Sequence, residues 1–390
     1  MKVATYNFDG LINREGTSCV KYDLRKAYFD NASVLPMWVA DMDFETPDFI
    51  RERLAKRLSH PVYGYTFRGS EYFESIAQWL KRRHNYQAQH EWMSFSPGVV
   101  PALNMAVLAL TKPGDGIIVQ PPVYFPFFGA VSEHERRLLY NQLVYDGKNY
   151  EMDFDKLEAQ AREAKMLILC NPHNPVGRSW RKQELEKLAE ICLRNDVIIL
   201  SDEIHNDLVL PGYHHQVLAG MDPEIENIVI TAHAASKTFN LAGLAASTMI
   251  ISNENLRKPY EKLLKSLHVD MGNVFGFEAT MAAFEEGDQW LEELLYYIQG
   301  NVDETLHFFK DNSLGIKAIK PEATYLIWLD FNHCGLSPEE VKHKLIHSAN
   351  VGLNFGGDFG PGGEGFMRIN VACPKSVLLN GLHRIKEAFA

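Results

Sequence analysis

Two kinds of apolar pattern alternate through the middle of the chain. Short, nearly unbroken runs at 117–120, 138–143, 166–170, 197–201, 227–231 and 246–251 have the length and branched-residue content of strands buried on both faces. Between several of them lie stretches with apolar residues at helical spacing, at 154–164 and 181–194. This alternation predicts an α/β fold whose mostly parallel sheet carries helices on both faces. Upstream, Thr46-Pro47-Asp48 supplies a capping hydroxyl, a first-turn proline and an acid suited to the helix dipole, so a helix should run from there to about residue 58. A second amphipathic helix carries Phe73, Ile76, Ala77 and Leu80, and an apolar one spans 99–110. Downstream the spacing predicts helices at about 253–268 and 273–286 and a longer one near 289–312. A strand, strand, helix, strand, strand, helix series follows, clearest at 325–329, 337–348 and 366–371. That series reads as a small α+β domain. Residues 1–45 lack periodicity until 34–39 and read as an arm that completes it. The expected division is a large domain at 46–288, with 1–45 and 289–390 forming the small one, because a chain of 390 residues exceeds the roughly 250–300 that a single core supports.

A net charge of −11 argues against nucleic-acid or anionic-membrane partners and for a small-molecule one. No apolar run approaches the roughly 20 residues that span a bilayer, and residues Met1 to Asp9 lack the apolar region of a signal peptide, so a cytoplasmic protein is expected. Five scattered cysteines form no C-x-x-C pair, and the histidines form no H-E-x-x-H; neither disulfides nor a metal site is expected. His84, His214 and His215 read as surface residues. The glycine-rich stretch from Gly356 to Gly365 lacks a phosphate-loop pattern and reads as a mobile loop near the site.

Candidate chemistry centres on Asp202, at the end of the run Ile198-Ile199-Leu200-Ser201, and on Lys237, set among small and polar residues beyond the next strand. A strand-end acid lies where parallel sheets bind ligands, and a lysine outside any charged run suits Schiff-base chemistry. The plainer alternatives are a turn-capping acid and an exposed lysine. Asn174 in Asn171-Pro172-His173-Asn174-Pro175 follows the strand at 166–170. Gly98-Val99-Val100 opens the helix at 99–110, where free amides can bind an anion. Tyr124 and Tyr65 are each either a site residue or an apolar filler. Arg368, alone on a short apolar strand, fits a substrate carboxylate or a salt bridge between domains.

Taken in order, these motifs resemble the fold-type I pyridoxal-phosphate enzymes of the aspartate aminotransferase superfamily. Trp38-Val39-Ala40-Asp41-Met42-Asp43-Phe44 and Asp202-Glu203-Ile204-His205 resemble its cystathionine β-lyase branch, typified by the maltose-regulon modulator. The resemblance implies a pyridoxal 5'-phosphate cofactor bound to Lys237, with Asp202 on its ring nitrogen, Tyr124 stacked on the ring, and Asn174 and His205 on the ring hydroxyl. The phosphate would rest on Gly98, Val99, Val100 and Ser236, with Tyr65 reaching it from the neighbouring subunit of a homodimer. Arg368, Asn174, Ala40 and Asp41 would face an amino-acid substrate. Two positions depart from the family pattern. Ala234 and Ala245 replace a hydroxyl residue and an arginine that usually hold the phosphate, leaving Ser236, His233 and the amides of Val99 and Val100 to compensate. No second arginine for a distal carboxylate is identifiable. With the Ala40–Asp43 segment, that absence favours a carbon–sulfur β-lyase acting on L-cystathionine or a related cysteine conjugate. The alternatives are an aminotransferase for a neutral or aromatic amino acid and a regulatory binding protein on the same fold.

Overall fold

The computed structural model describes residues 5–390; Met1 to Ala4, part of the segment assessed above for a signal peptide, lie outside them. Seven strands build the main sheet: β1 (Met93–Ser96), β2 (Gly116–Val119), β3 (Arg137–Tyr140), β4 (Ala164–Cys170), β5 (Ile198–Asp202), β6 (Val229–His233) and β7 (Ser247–Ile250). They lie in the order β1-β7-β6-β5-β4-β2-β3, and only β7 runs against its neighbours. Side chains alternate across the sheet with period two. Ile198 and Leu200 of β5 therefore join a core with Val107, Phe127 and Tyr260 of helices Val99–Leu110, Pro126–Ser132 and Glu254–Ser266. Ile199 joins the opposite core with Leu188, Trp79 and Phe284. Cover on both faces explains why these strands read as unbroken apolar runs.

A second sheet contains β8 (Lys317–Ile319), β9 (Leu326–Asp330), β10 (Asn354–Phe355) and β11 (Phe366–Asn370), ordered β8-β9-β11-β10 and antiparallel throughout. The 24-residue helix Asp288–Asp311 leads into it, and buried Asn301 on that helix donates to the carbonyls of Val371 and Cys373 at 2.9 Å. In the amino-terminal arm, Leu35–Pro36 pairs in parallel with Val351–Gly352.

Three expectations are corrected. The sequence reading lacks β1, because Met93-Ser94-Phe95-Ser96 alternates polar with apolar although all four residues are buried. Its serines are satisfied internally, Ser94 Oγ on Glu261 at 3.1 Å and Ser96 Oγ on the Gly98 carbonyl at 2.9 Å. His84 and His215 are not surface residues: His84 Nε2 lies 2.7 Å from Asp207, and His215 Nε2 lies 2.8 Å from Glu203, all with nearly inaccessible side chains. The glycine-rich stretch is closely packed, not a free loop. Phe359 is fully buried against Trp328, and Gly356 and Gly363 approach each other so closely that neither has room for a Cβ. Among the described residues no helix is long and apolar enough to cross a membrane.

Candidate active site

The carboxyl ends of β4, β5 and β6 meet at one cavity of about 210 Å³. Asp202 closes β5 on the same face as Ile198 and Leu200, so strand alternation points its carboxylate there. Asn174 comes from the turn after β4, and Lys237 from the single helical turn Ala235–Thr238 after β6. Gly98 has φ 141°, a conformation costly for any residue with a Cβ, and it swings the chain into Val99–Leu110 so that Val99 and Val100, in the helix's first turn, line the cavity. Ala40, Tyr124, His205 and Ser236 also line it.

Burial sets the charge states. Lys237 Nζ donates to the Ala40 carbonyl at 2.6 Å, and burial, reinforced by Arg368, lowers its pKa to about 8. A substantial fraction of the amine is thus neutral and nucleophilic near pH 8. Asp202, 4 % exposed, is pushed up to about 7 by burial, partly opposed by the Ile204 N–H at 3.2 Å and by Lys237. Burial, then Lys237 and Arg368, hold His205 well below the ordinary imidazole range, and its Nδ1 has no partner. Burial also raises the Tyr124 phenol, with Asp202 adding to the effect.

Arg368, on β11, is 3 % exposed and donates to Asn174 Oδ1 at 2.9 Å, the Trp38 carbonyl at 3.0 Å and Asn354 Oδ1 at 2.5 Å. Its guanidinium lies 4.9 Å from the Phe359 ring centre, its Nε has no partner, and no carboxylate pairs with it among the described residues. Arg178 makes the contrast. It is also buried, though less deeply, and bonds Glu184 and Glu322 at 2.8 and 3.1 Å. A buried cation without a counter-ion is costly, so the site is arranged for an anion.

The remaining expected residues lie elsewhere. Asp41 turns its carboxylate to Arg14, and it is the Ala40 carbonyl that faces Lys237. Tyr65 is 98 % exposed and outside the cavity of its own chain. His233 is on the other face of the sheet, stacked on Phe284 with Nδ1 against Asn206 at 3.1 Å, so it does not help at the anion end. That end is walled by Ala242, Ala245 and Ala246 and, among the described residues, carries no cation. Sequence reading also misses Cys170, which lines the cavity, Tyr325, whose hydroxyl donates to the Ala40 carbonyl at 3.0 Å, and Asn354. Asn354 sits opposite Arg368 in the β10–β11 register, a pairing visible only once the strands are aligned.

The family model for "Aminotransferase class I and II" matches residues 34–385. The chain is 43 % identical to the cystathionine beta-lyase PatB of Bacillus subtilis, over 98 % of this chain and 100 % of that one. Among solved structures it is similar to cystalysin from Treponema denticola, which contains pyridoxal 5'-phosphate, with a TM-score of 0.95, 38 % identity and 98 % of each chain covered. It is also similar to a PLP-bound C-S lyase from Staphylococcus hominis, with a TM-score of 0.92, 33 % identity, and 99 % of this chain and 98 % of that one covered. A family match over residues 34–385 and 43 % identity across nearly the whole of both chains agree with this geometry: the chain belongs to the aminotransferase class I and II family.

Proposed function

We propose that this protein is a pyridoxal-phosphate-dependent carbon–sulfur β-lyase that converts L-cystathionine or a related cysteine S-conjugate to pyruvate, ammonia and a thiol. The observation that carries the reading is Arg368, a buried guanidinium with no carboxylate, in the same site as Lys237 and Asp202. The residues fit the cofactor. Asp202 accepts one amide hydrogen bond and its other oxygen takes no donor among the described residues, which suits a protonated ring nitrogen. His205 Nδ1 and the Asn174 amide suit a ring hydroxyl, Tyr124 offers a ring face, and Ser236 with the Val99 and Val100 amides suits a phosphate.

Pyridoxal phosphate, when bound, supplies an electron sink for negative charge developed at a substrate's α-carbon. Arg368 binds the α-carboxylate through its fork and fixes the substrate's orientation. Lys237 removes the α-proton, for which a pKa of about 8 suits it, and Asp202 stays ionised against the ring-nitrogen proton. Across the whole reaction the substrate loses its α-proton and its β-sulfur substituent as a thiol, and water completes conversion to pyruvate and ammonia.

Among the described residues the cavity lining contains no arginine, and Arg368 stands just behind it on Asn174; the lack of a further arginine for a distal carboxylate favours elimination from a sulfur-bearing amino acid over transamination of a dicarboxylic one. A homodimer with shared sites agrees with the exposed apolar set Leu58, Val62, Tyr63, Tyr65, Phe67 and Met271. On this reading Tyr65 belongs to the neighbouring subunit's phosphate site, and the large domain at 46–288 carries the cofactor. The experiment is pyruvate release from L-cystathionine with added pyridoxal phosphate and no keto-acid acceptor, beside Lys237→Ala. Pyruvate from the unaltered protein alone supports the lyase; keto acid formed only with an acceptor replaces it with an aminotransferase.

A further inference from the structure

Residues 38–43 touch both ends of the site. The Trp38 carbonyl accepts from Arg368 at 3.0 Å, and the Ala40 carbonyl accepts from Lys237 Nζ at 2.6 Å. Asn370 Nδ2 holds the carbonyls of Val39 and Asp41, each at 2.6 Å, and Asn240 exchanges two hydrogen bonds with Met42. This strap has no regular secondary structure, so its shape depends on what grips it.

Its outer side is gripped by charge. Arg14 donates to Asp41 Oδ1 and Oδ2 at 3.1 and 2.5 Å, to the Met42 carbonyl at 3.1 Å and to Asp43 Oδ1 at 2.6 Å. Lys21, almost wholly buried, adds a 2.7 Å bond to Asp43 Oδ2 and lies 3.5 Å from Asp41. Arg14 alone among these cations bonds both acids and the backbone between them. It comes from an irregular stretch of the arm, preceded by exposed Leu11 and Ile12.

We propose that Arg14 is a positioning residue for the lyase reaction, clamping residues 41–43 so that the Ala40 carbonyl holds the Lys237 amine and the Trp38 carbonyl holds Arg368. The role rests on the reading of Lys237 as the base. It has an electrostatic side as well. Around Lys237 stand Asp202, His205, Arg368, Tyr124 and Tyr325, with the Asp41 carboxylate behind the Ala40 carbonyl and turned to Arg14; Asp41 and Asp202 favour the protonated amine and Arg368 opposes it. Arg14 neutralises Asp41. Removing Arg14 therefore raises the Lys237 pKa, and removing the Asp41 charge lowers it.

The test follows Lys237 in the cofactor-free protein, by the pH dependence of its labelling with an amine-selective anhydride read by mass spectrometry. The midpoint should rise in Arg14→Ala, fall in Asp41→Asn and stay near the unaltered value in Arg14→Lys. Hydrogen exchange of the amides of residues 40–43 should be at least about tenfold faster in Arg14→Ala and largely restored in Arg14→Lys. Midpoints unmoved in both charge-removing variants, or moved in the same direction, overturn the proposal. Should Arg14→Ala not fold, Asp41→Asn and Arg14→Lys carry the test by the direction of their midpoints. Absence of pyruvate from the unaltered holoprotein would sink the lyase reading and leave the labelling result standing by itself.

Discussion

Replacing Arg368 by Met separates a binding arginine from a structural one. The substitution keeps an apolar chain in the buried slot over Phe359 and removes a guanidinium that has no counter-ion. Three acceptors lose a donor: Asn174 Oδ1, the Trp38 carbonyl and Asn354 Oδ1. Each unsatisfied acceptor costs about 1–3 kcal/mol at most, while relief from burying an unpaired charge returns several kcal/mol, so the net stability change should stay within about 2 kcal/mol of zero. The same change at Arg178 strips Glu184 of its cation but leaves Glu322 paired with Arg181 at 2.6 Å, so it should cost about 3 kcal/mol, the lower end of what breaking a buried pair costs. Function should reverse the order. Two charge-assisted bonds to a substrate carboxylate at about 1.5–3 kcal/mol each put the loss in kcat/KM for Arg368→Met at roughly 10²–10⁴-fold, carried mainly by KM. Urea unfolding of both cofactor-free variants and pyruvate release by both holoproteins give the comparison. If Arg368→Met is as destabilised as Arg178→Met and keeps kcat/KM within about threefold, by the tenfold-per-1.4-kcal/mol conversion, the carboxylate-binding assignment is wrong.

Three further outcomes are expected. In the cofactor-free protein the raised pKa of Asp202 means the folded state holds its proton at pH values where the unfolded chain has lost it. Its stabilising contribution is present below about pH 4 and disappears as pH rises through about 7; Asp202→Asn should thus be more stable than the unaltered protein at pH 8 and similar at pH 3.5, by chemical denaturation at each pH. With Lys237 titrating near 8 before cofactor binds, the rate of cofactor attachment, followed by the absorbance of the bound chromophore, should climb from pH 6.5 to 9 and vanish in Lys237→Ala; a flat profile refutes a neutral-amine nucleophile. Ser236 is a hydroxyl at an anion end without a cation, so Ser236→Ala should weaken cofactor retention by about tenfold, the equivalent of one hydrogen bond, in equilibrium dialysis.

Sequence pattern exposed the frame of this protein more fully than its joints. Ile198 to Ser201, read as a buried strand, is β5 with its acid at the carboxyl end, because continuous apolar residues survive only where both faces are covered. The helix expected at 289–312 is Asp288–Asp311 for a similar reason, a long periodic stripe. What pattern could not convey was pairing between distant polar residues. Nothing local distinguishes His84 and His215, which meet buried acids, from exposed His214. Asp41 and Asp43 look like a polar turn until Arg14 and Lys21 are folded onto them.

The site draws on residues from Ala40, which lines the cavity, to Arg368, which grips the lining residue Asn174, and the strand bearing Arg368 pairs centrally in its sheet. A chain emerging from the ribosome therefore cannot complete the site until nearly all of it has been synthesised, however early β4, β5 and β6 associate. During that interval Asp202 and Lys237 stand beside an unfinished wall, and the arm carrying Ala40 has no β11 to grip. Capture of the coloured cofactor with its full spectrum is then a report on long-range assembly rather than on the main sheet alone, and truncations before β11 should yield sheet-containing proteins that fail to acquire it.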